Sequence, residues 1–72
     1  MKETELKPNL ITEWTLEKRG NSFVICGFIF NDTKNRFENG MSIHTSKVEQ
    51  IDFVNGIVKT KNSTYNLGRS RQ

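Results

Sequence analysis

A small single-domain all-β fold is what this 72-residue sequence predicts: a strongly bent antiparallel sheet of five to six strands, an SH3-like or Sm-like partly closed barrel ending in a C-terminal β-meander. Three observations carry that expectation. Residues 49–67 read as two consecutive hairpins whose apolar positions fall on one face. Upstream runs alternate apolar and polar with a period of two, and tight Gly- and Asn-containing turns separate them. No segment sustains the period of an amphipathic helix.

The meander rests on turn chemistry. Asn55-Gly56 is a strong hairpin signal, because a two-residue type I′ turn needs positive φ at both central positions. A turn there pairs Val54 with Ile57, Phe53 with Val58, Asp52 with Lys59, Ile51 with Thr60 and Gln50 with Lys61. A second turn at Asn62-Ser63 pairs Lys61 with Thr64, Thr60 with Tyr65, Lys59 with Asn66 and Val58 with Leu67. Ile51, Phe53, Val58, Thr60, Tyr65 and Leu67 then share one face.

Residues 1–8, ending at Pro8, read as a flexible lead-in to a single domain over 9–68, with 69–72 as a basic C-terminal tail. From Leu10 to Leu16, Leu10, Thr12, Trp14 and Leu16 face one way and Ile11, Glu13, Thr15 and Glu17 the other. Lys18-Arg19-Gly20-Asn21 turns the chain into Phe23–Phe30, apolar on both faces, as a central strand or a strand meeting a second subunit is. Residues 31–40 form the longest polar connection, in which Phe37 is expected to plug one end of the core. Met41, Ile43 and Thr45 resume alternation, and a bulge or bend near Ser46-Lys47 brings Val48 and Ile51 to the same side.

Composition narrows the function classes. Only 33% of the residues are hydrophobic, so the five Phe, one Trp and one Tyr are expected to fill a small core. A domain this small gains from burying surface against a second copy, which makes a homo-oligomer the expectation. A single cysteine excludes an intrachain disulfide scaffold. The chain shows no apolar signal-peptide segment and no membrane-spanning run, so a cytoplasmic location without membrane attachment is expected. Residues 1–40 hold six basic and six acidic side chains, whereas residues 41–72 hold five basic and two acidic, so the whole +3 charge lies in the second half.

Catalytic and metal chemistry is thin. Cys26 and His44 are too few for a zinc site, and Cys26 lies in the most apolar strand, where a thiol acts as a small hydrophobe. With no phosphate loop, nucleophile elbow or paired carboxylates, the expectation is a protein that is not an enzyme and uses no cofactor. What remains is His44-Thr45-Ser46-Lys47 at the bend, beside the Arg36 loop and Tyr65. Hydroxyls, imidazole and basic groups at a bend suit an anionic ligand. Lys59, Lys61, Arg69 and Arg71 add a basic surface.

The run Arg36-Phe37-Glu38-Asn39-Gly40, then Ile43 to Val48, then Asn62 to Gly68 resembles a pattern of small all-β proteins of phages and prophages, F-x-x-G-x-x-I-x-T-S-x-V followed by Y-x-L-G. It covers about half the chain, with Phe37, Gly40, Thr45, Ser46 and Tyr65 as shared positions. The resemblance implies an accessory protein acting in the host cytosol by binding, with antagonism of host defence as one such task. Three binding modes follow: sequestering a small anionic, nucleotide-type ligand in an oligomer, binding a host protein directly as inhibitor or adaptor, or binding nucleic acid. The low density of basic residues disfavours the last.

Overall fold

The computed structural model describes residues 7–71, so most of the lead-in expected over residues 1–8, together with Gln72, lies outside the described residues. Its strands are β1 (Leu10–Arg19), β2 (Ser22–Phe30), β3 (Met41–His44), β4 (Val48–Asp52), β5 (Ile57–Thr60) and β6 (Thr64–Leu67). They form one six-stranded sheet in the order β3-β2-β1-β6-β5-β4. Among the described residues there is no helix, hence none long and apolar enough to cross a membrane.

The sheet is mixed, which corrects the all-antiparallel expectation. β1 pairs with β2 antiparallel but with β6 in parallel, through Leu10↔Asn66 and Ile11↔Leu67. The strand direction continues past β6: Gly68 N donates to Ile11 O, Trp14 N to Arg69 O and Arg71 N to Trp14 O. Residues 69–71 therefore run along β1 and are not a free tail.

A flat sheet cannot have this connectivity. Five inter-strand gaps would separate its edges by about 24 Å. Yet the two edge strands, β3 and β4, are joined by residues 45–47 alone, a link that reaches at most about 14 Å from His44 to Val48. The sheet must curl until its edges meet at that link. Thr45 N donates to Ile25 O on one side, and Lys47 O accepts from Lys61 N on the other. No ladder joins β3 to β4 among the described residues, so the curled sheet stays open.

Both meander turns form two residues away from their expected register. The observed pairs are Asp52↔Ile57, Ile51↔Val58 and Gln50↔Lys59, leaving Phe53, Val54, Asn55 and Gly56 as a four-residue loop. Asp52 decides this: its Oδ1 accepts from Asn55 N at 3.1 Å and its Oδ2 from Asn55 Nδ2 at 2.8 Å, closing a turn in which Gly56 but not Asn55 has positive φ. Lys59 consequently opposes Gln50, not Asp52. In the second hairpin Val58 pairs with Tyr65 and Lys59 with Thr64, because the Thr60 hydroxyl exchanges hydrogen bonds with Ser63 O and Ser63 N and closes the turn early. A slip of two preserves facing, so Val58, Thr60, Tyr65 and Leu67 are all buried as expected. Phe53 alone leaves the core face and becomes 64% exposed.

The alternation read along β1 is broken by a bulge. Pairing shifts between Thr12 and Thr15, with Glu13 at φ 52°, so Ile11 and Leu16 rather than Leu10 and Leu16 share a face. Gly27 makes the bulge possible: a β-carbon there would lie 2.7 Å from Ile11 Cγ2 and 2.9 Å from Thr12 O. At the far end of the hairpin Arg19 pairs with Ser22 around Gly20-Asn21, with Gly20 at φ 61° as a two-residue turn with glycine first requires.

The core is aliphatic more than aromatic, against expectation. Its fully buried side chains are Ile11, Ile25, Ile29 and Val58, joined by Tyr65 and Leu67. Trp14, Phe37, Ile43, Val48 and Ile51 pack around them, which gives Phe37 the anchoring position expected of it. β-Branched side chains suit the tight interior of a curled sheet, while the Trp14 and Phe37 rings pack against it only partly buried.

Candidate functional site

The polar connection over residues 31–40 is organised by one carboxylate. Asp32 lies two residues past the end of β2, its side chain is 0% exposed, and it accepts five hydrogen bonds: from Arg36 N at 2.6 Å, Phe37 N at 3.1 Å, Lys34 N at 3.3 Å, Arg36 Nη2 at 3.2 Å and Arg36 Nε at 3.4 Å. Asn31 and Asn35 take the left-handed conformation at φ 58° and 55°, which asparagine tolerates better than most residues. Burial would raise the Asp32 pKa, but the bonds from Arg36, Lys34 and Phe37 outweigh it and hold the carboxyl below its ordinary value. Reciprocally, Asp32 raises the Arg36 pKa.

Arg36 is thereby aimed across the fold. Its guanidinium lies 5.3 Å from the centroid of the Phe37 ring, and Nη2 donates to Tyr65 OH at 3.3 Å. Lys34 Nζ donates to Asn62 O at 3.0 Å and Ser63 Oγ at 3.1 Å, and Asn62 Nδ2 donates to Ser46 Oγ at 2.6 Å. Of the residues expected to meet an anion, Arg36, Tyr65 and Ser46 thus belong to one contact network, linked through Lys34 and Asn62. Beside it Asn31, Asp32, Asn35, Arg36, Phe37 and Glu38 line an open depression of about 700 Å³.

The others go elsewhere. Thr45 is buried, accepts from Ile25 N at 3.0 Å and donates to Ser46 O at 2.8 Å, so its hydroxyl fastens the link between the two sheet edges. His44 is exposed and shares a shallow depression with Phe37, Met41, Ser42 and Ile43. Lys47 is exposed. Lys59 lines a separate groove with Gln50, Asp52, Ile57 and Thr64, Lys61 sits at the β5–β6 turn, and Arg69 and Arg71 flank Ser70 where it bridges to Trp14. The basic residues are distributed over different elements rather than gathered on one strip.

Cys26 and His44 do stand directly opposite each other in the β2–β3 ladder. The thiol pKa is raised, first by burial and then by Glu17, the opposite of what activates a cysteine. Among the described residues no group of three or more His, Cys, Asp and Glu side chains is placed to hold a metal.

A second region was not legible in the sequence. The β4–β5 loop lays Phe53 on Trp14, ring centroids 6.2 Å apart and 26° from parallel. Trp14 is fixed by Nε1 donating to Gly68 O at 3.0 Å. Trp14 and Leu16 line one depression with Thr15 and Ser70, and Phe23 is the diagonal neighbour of Leu16 across the hairpin. Leu16 at 40%, Phe23 at 44% and Phe53 at 64% exposure thus flank Trp14 in a continuous apolar surface. Of the nearby basic residues Lys18 pairs with Phe23 on this face, whereas Arg19 meets Glu17 at 3.5 Å and Arg69 and Arg71 alternate away from Ser70, the residue that bridges to Trp14. Comparison with protein-family models, curated proteins and solved structures finds no match to this chain.

Proposed function

We propose that this chain is a non-catalytic binding protein that docks on another protein through the surface formed by Leu16, Phe23, Trp14 and Phe53. The observation that carries this reading is the Phe53–Trp14 stack, which holds a large ring on the surface where it buries little of itself. Exposed aromatic groups on a rigid support are the usual anchors of a protein interface. Such a surface suits a partner that presents an apolar patch of its own.

The anion-sequestering alternative retains the Arg36–Tyr65–Ser46 network, but the Asp32 carboxylate already answers the Arg36 charge and Thr45 is committed to the backbone. The curl of the sheet favours a partly closed barrel of SH3-like or Sm-like size, and the small aliphatic core favours an oligomer. The sequence pattern favours a phage accessory protein working in the host cytosol against a host system.

Native mass spectrometry of the purified chain, alone and after exposure to a bacterial host lysate, tests the docking surface. Wild type should leave the lysate bound to one protein, in a complex that resists added salt and is lost in Phe53→Ser. An oligomer carrying a small anionic ligand, unaffected by Phe53→Ser and emptied by Arg36→Ala, would overturn the docking surface in favour of sequestration.

A further inference from the structure

The sequence holds two Asn-Gly pairs, Asn39-Gly40 and Asn55-Gly56, and the fold treats them oppositely. Asn-Gly is the dipeptide in which the following amide nitrogen reaches the asparagine side chain with least hindrance, because glycine carries no β-carbon. At the first pair both reacting groups are tied. Asn39 Oδ1 accepts from Asn31 N at 2.7 Å, and Gly40 N donates to Ile29 O at 2.7 Å. At the second pair Asn55 is exposed at the tip of a four-residue loop, and the Gly56 amide makes no hydrogen bond. The contacts of Asn55 are its N and Nδ2, both donating to Asp52, which leave Oδ1 and the side-chain carbonyl carbon open to solvent.

We infer that Asn55 is a site of spontaneous covalent modification, converting to aspartate and isoaspartate while Asn39 is preserved. The Gly56 nitrogen attacks Asn55 Cγ; the new C–N bond forms as the Cγ–Nδ2 bond breaks, and the amide proton of Gly56 leaves with the departing group as ammonia. Water then opens the succinimide at either carbonyl, giving aspartate or isoaspartate with no change of oxidation state. The product sets a carboxylate against Asp52 in place of the amide that donated to it at 2.8 Å, and the net charge falls by one from +3. Two like charges at that spacing repel, and isoaspartate also adds a methylene to the backbone of a turn that needs Gly56 at φ 67°. The loop that seats Phe53 on Trp14 therefore loosens with age. That this would alter docking rests on the function proposed above; the chemistry does not.

The test incubates the folded protein at mildly alkaline pH, resolves charge variants by cation exchange and maps them by peptide mass spectrometry and isoaspartate methylation. Asn55 should convert at least about tenfold faster than Asn39, because Gly40 must first break its bond to Ile29. In the urea-unfolded chain the two sites should convert at similar rates, and Asn55→Gln should abolish the early charge variant without unfolding the protein. Equal rates at the two sites in the folded chain, or an Asn55 that outlasts Asn39, would overturn the assignment. Neither outcome depends on whether a partner binds.

Discussion

Replacing Asp32 by Asn keeps the shape of the side chain that orders the 31–40 loop and removes what makes it work. The two carboxylate oxygens divide their donors: Oδ2 takes Arg36 N, Arg36 Nε and Phe37 N, and Oδ1 takes Lys34 N and Arg36 Nη2. An amide in either orientation turns an NH2 group toward at least two of these donors, and no rotation satisfies all of them. Hydrogen bonds to a charged group contribute about 1.5–3 kcal/mol, and a buried donor left unmet costs about 1–3 kcal/mol. Arg36 is 32% exposed at its side chain, so water recovers much of the ion-pair part. A net loss of about 2–3 kcal/mol remains, or a fall in Tm of roughly 10–20 °C for a domain of this length. Calorimetry and urea unfolding across pH measure both this and its acid signature. A carboxyl whose pKa is depressed by the fold contributes stability that is fully present above its unfolded pKa of about 3.9 and is lost as pH falls through the lower folded value. Wild type should therefore weaken on acidification below about pH 4, and Asp32→Asn should lack that component. A variant melting within a degree or two of wild type, with the acid dependence unchanged, would refute the role assigned to Asp32.

Gly27→Ala forces a β-carbon against Ile11 Cγ2 and the Thr12 carbonyl and should cost about 1–3 kcal/mol by urea unfolding; an unchanged midpoint would remove the packing account of the β1 bulge. Gly56→Val places a branched side chain at φ 67° with its β-carbon 3.2 Å from Leu67 O, and a loss exceeding about 1 kcal/mol is expected from thermal unfolding. Phe53→Ser gives up a mostly exposed ring and should lower stability by no more than about 1 kcal/mol while abolishing partner capture, a separation that a purely structural Phe53 would not show. Arg36→Lys should keep a charge near Asp32 but lose the simultaneous reach to Tyr65, with local loosening of residues 31–40 read by amide hydrogen exchange.

By itself the sequence determined the all-β class, the approximate position of the strands and, Phe53 apart, which residues of the meander face inward, because a period of two survives any even slip of register. It could not choose between registers two residues apart. Asn55-Gly56 argues for a two-residue turn, whereas Asp52 and Thr60, each acting on residues three further on, close four-residue loops, and only the folded chain weighs those local bonds against each other. The β1 bulge was equally hidden: Gly27 is its signal, but the reason appears only when Thr12 and Ile11 are packed against it. Arg36 and Tyr65 were picked out separately by residue type, while their meeting depends on a contact across 29 positions that no local pattern encodes. Asp32 was passed over because a carboxylate in a polar loop looks solvated until five donors converge on it. The apolar surface around Trp14 and Phe53 belongs wholly to tertiary structure. Alternation placed Phe53 inside, and the two-residue slip, decided by Asp52, put it outside.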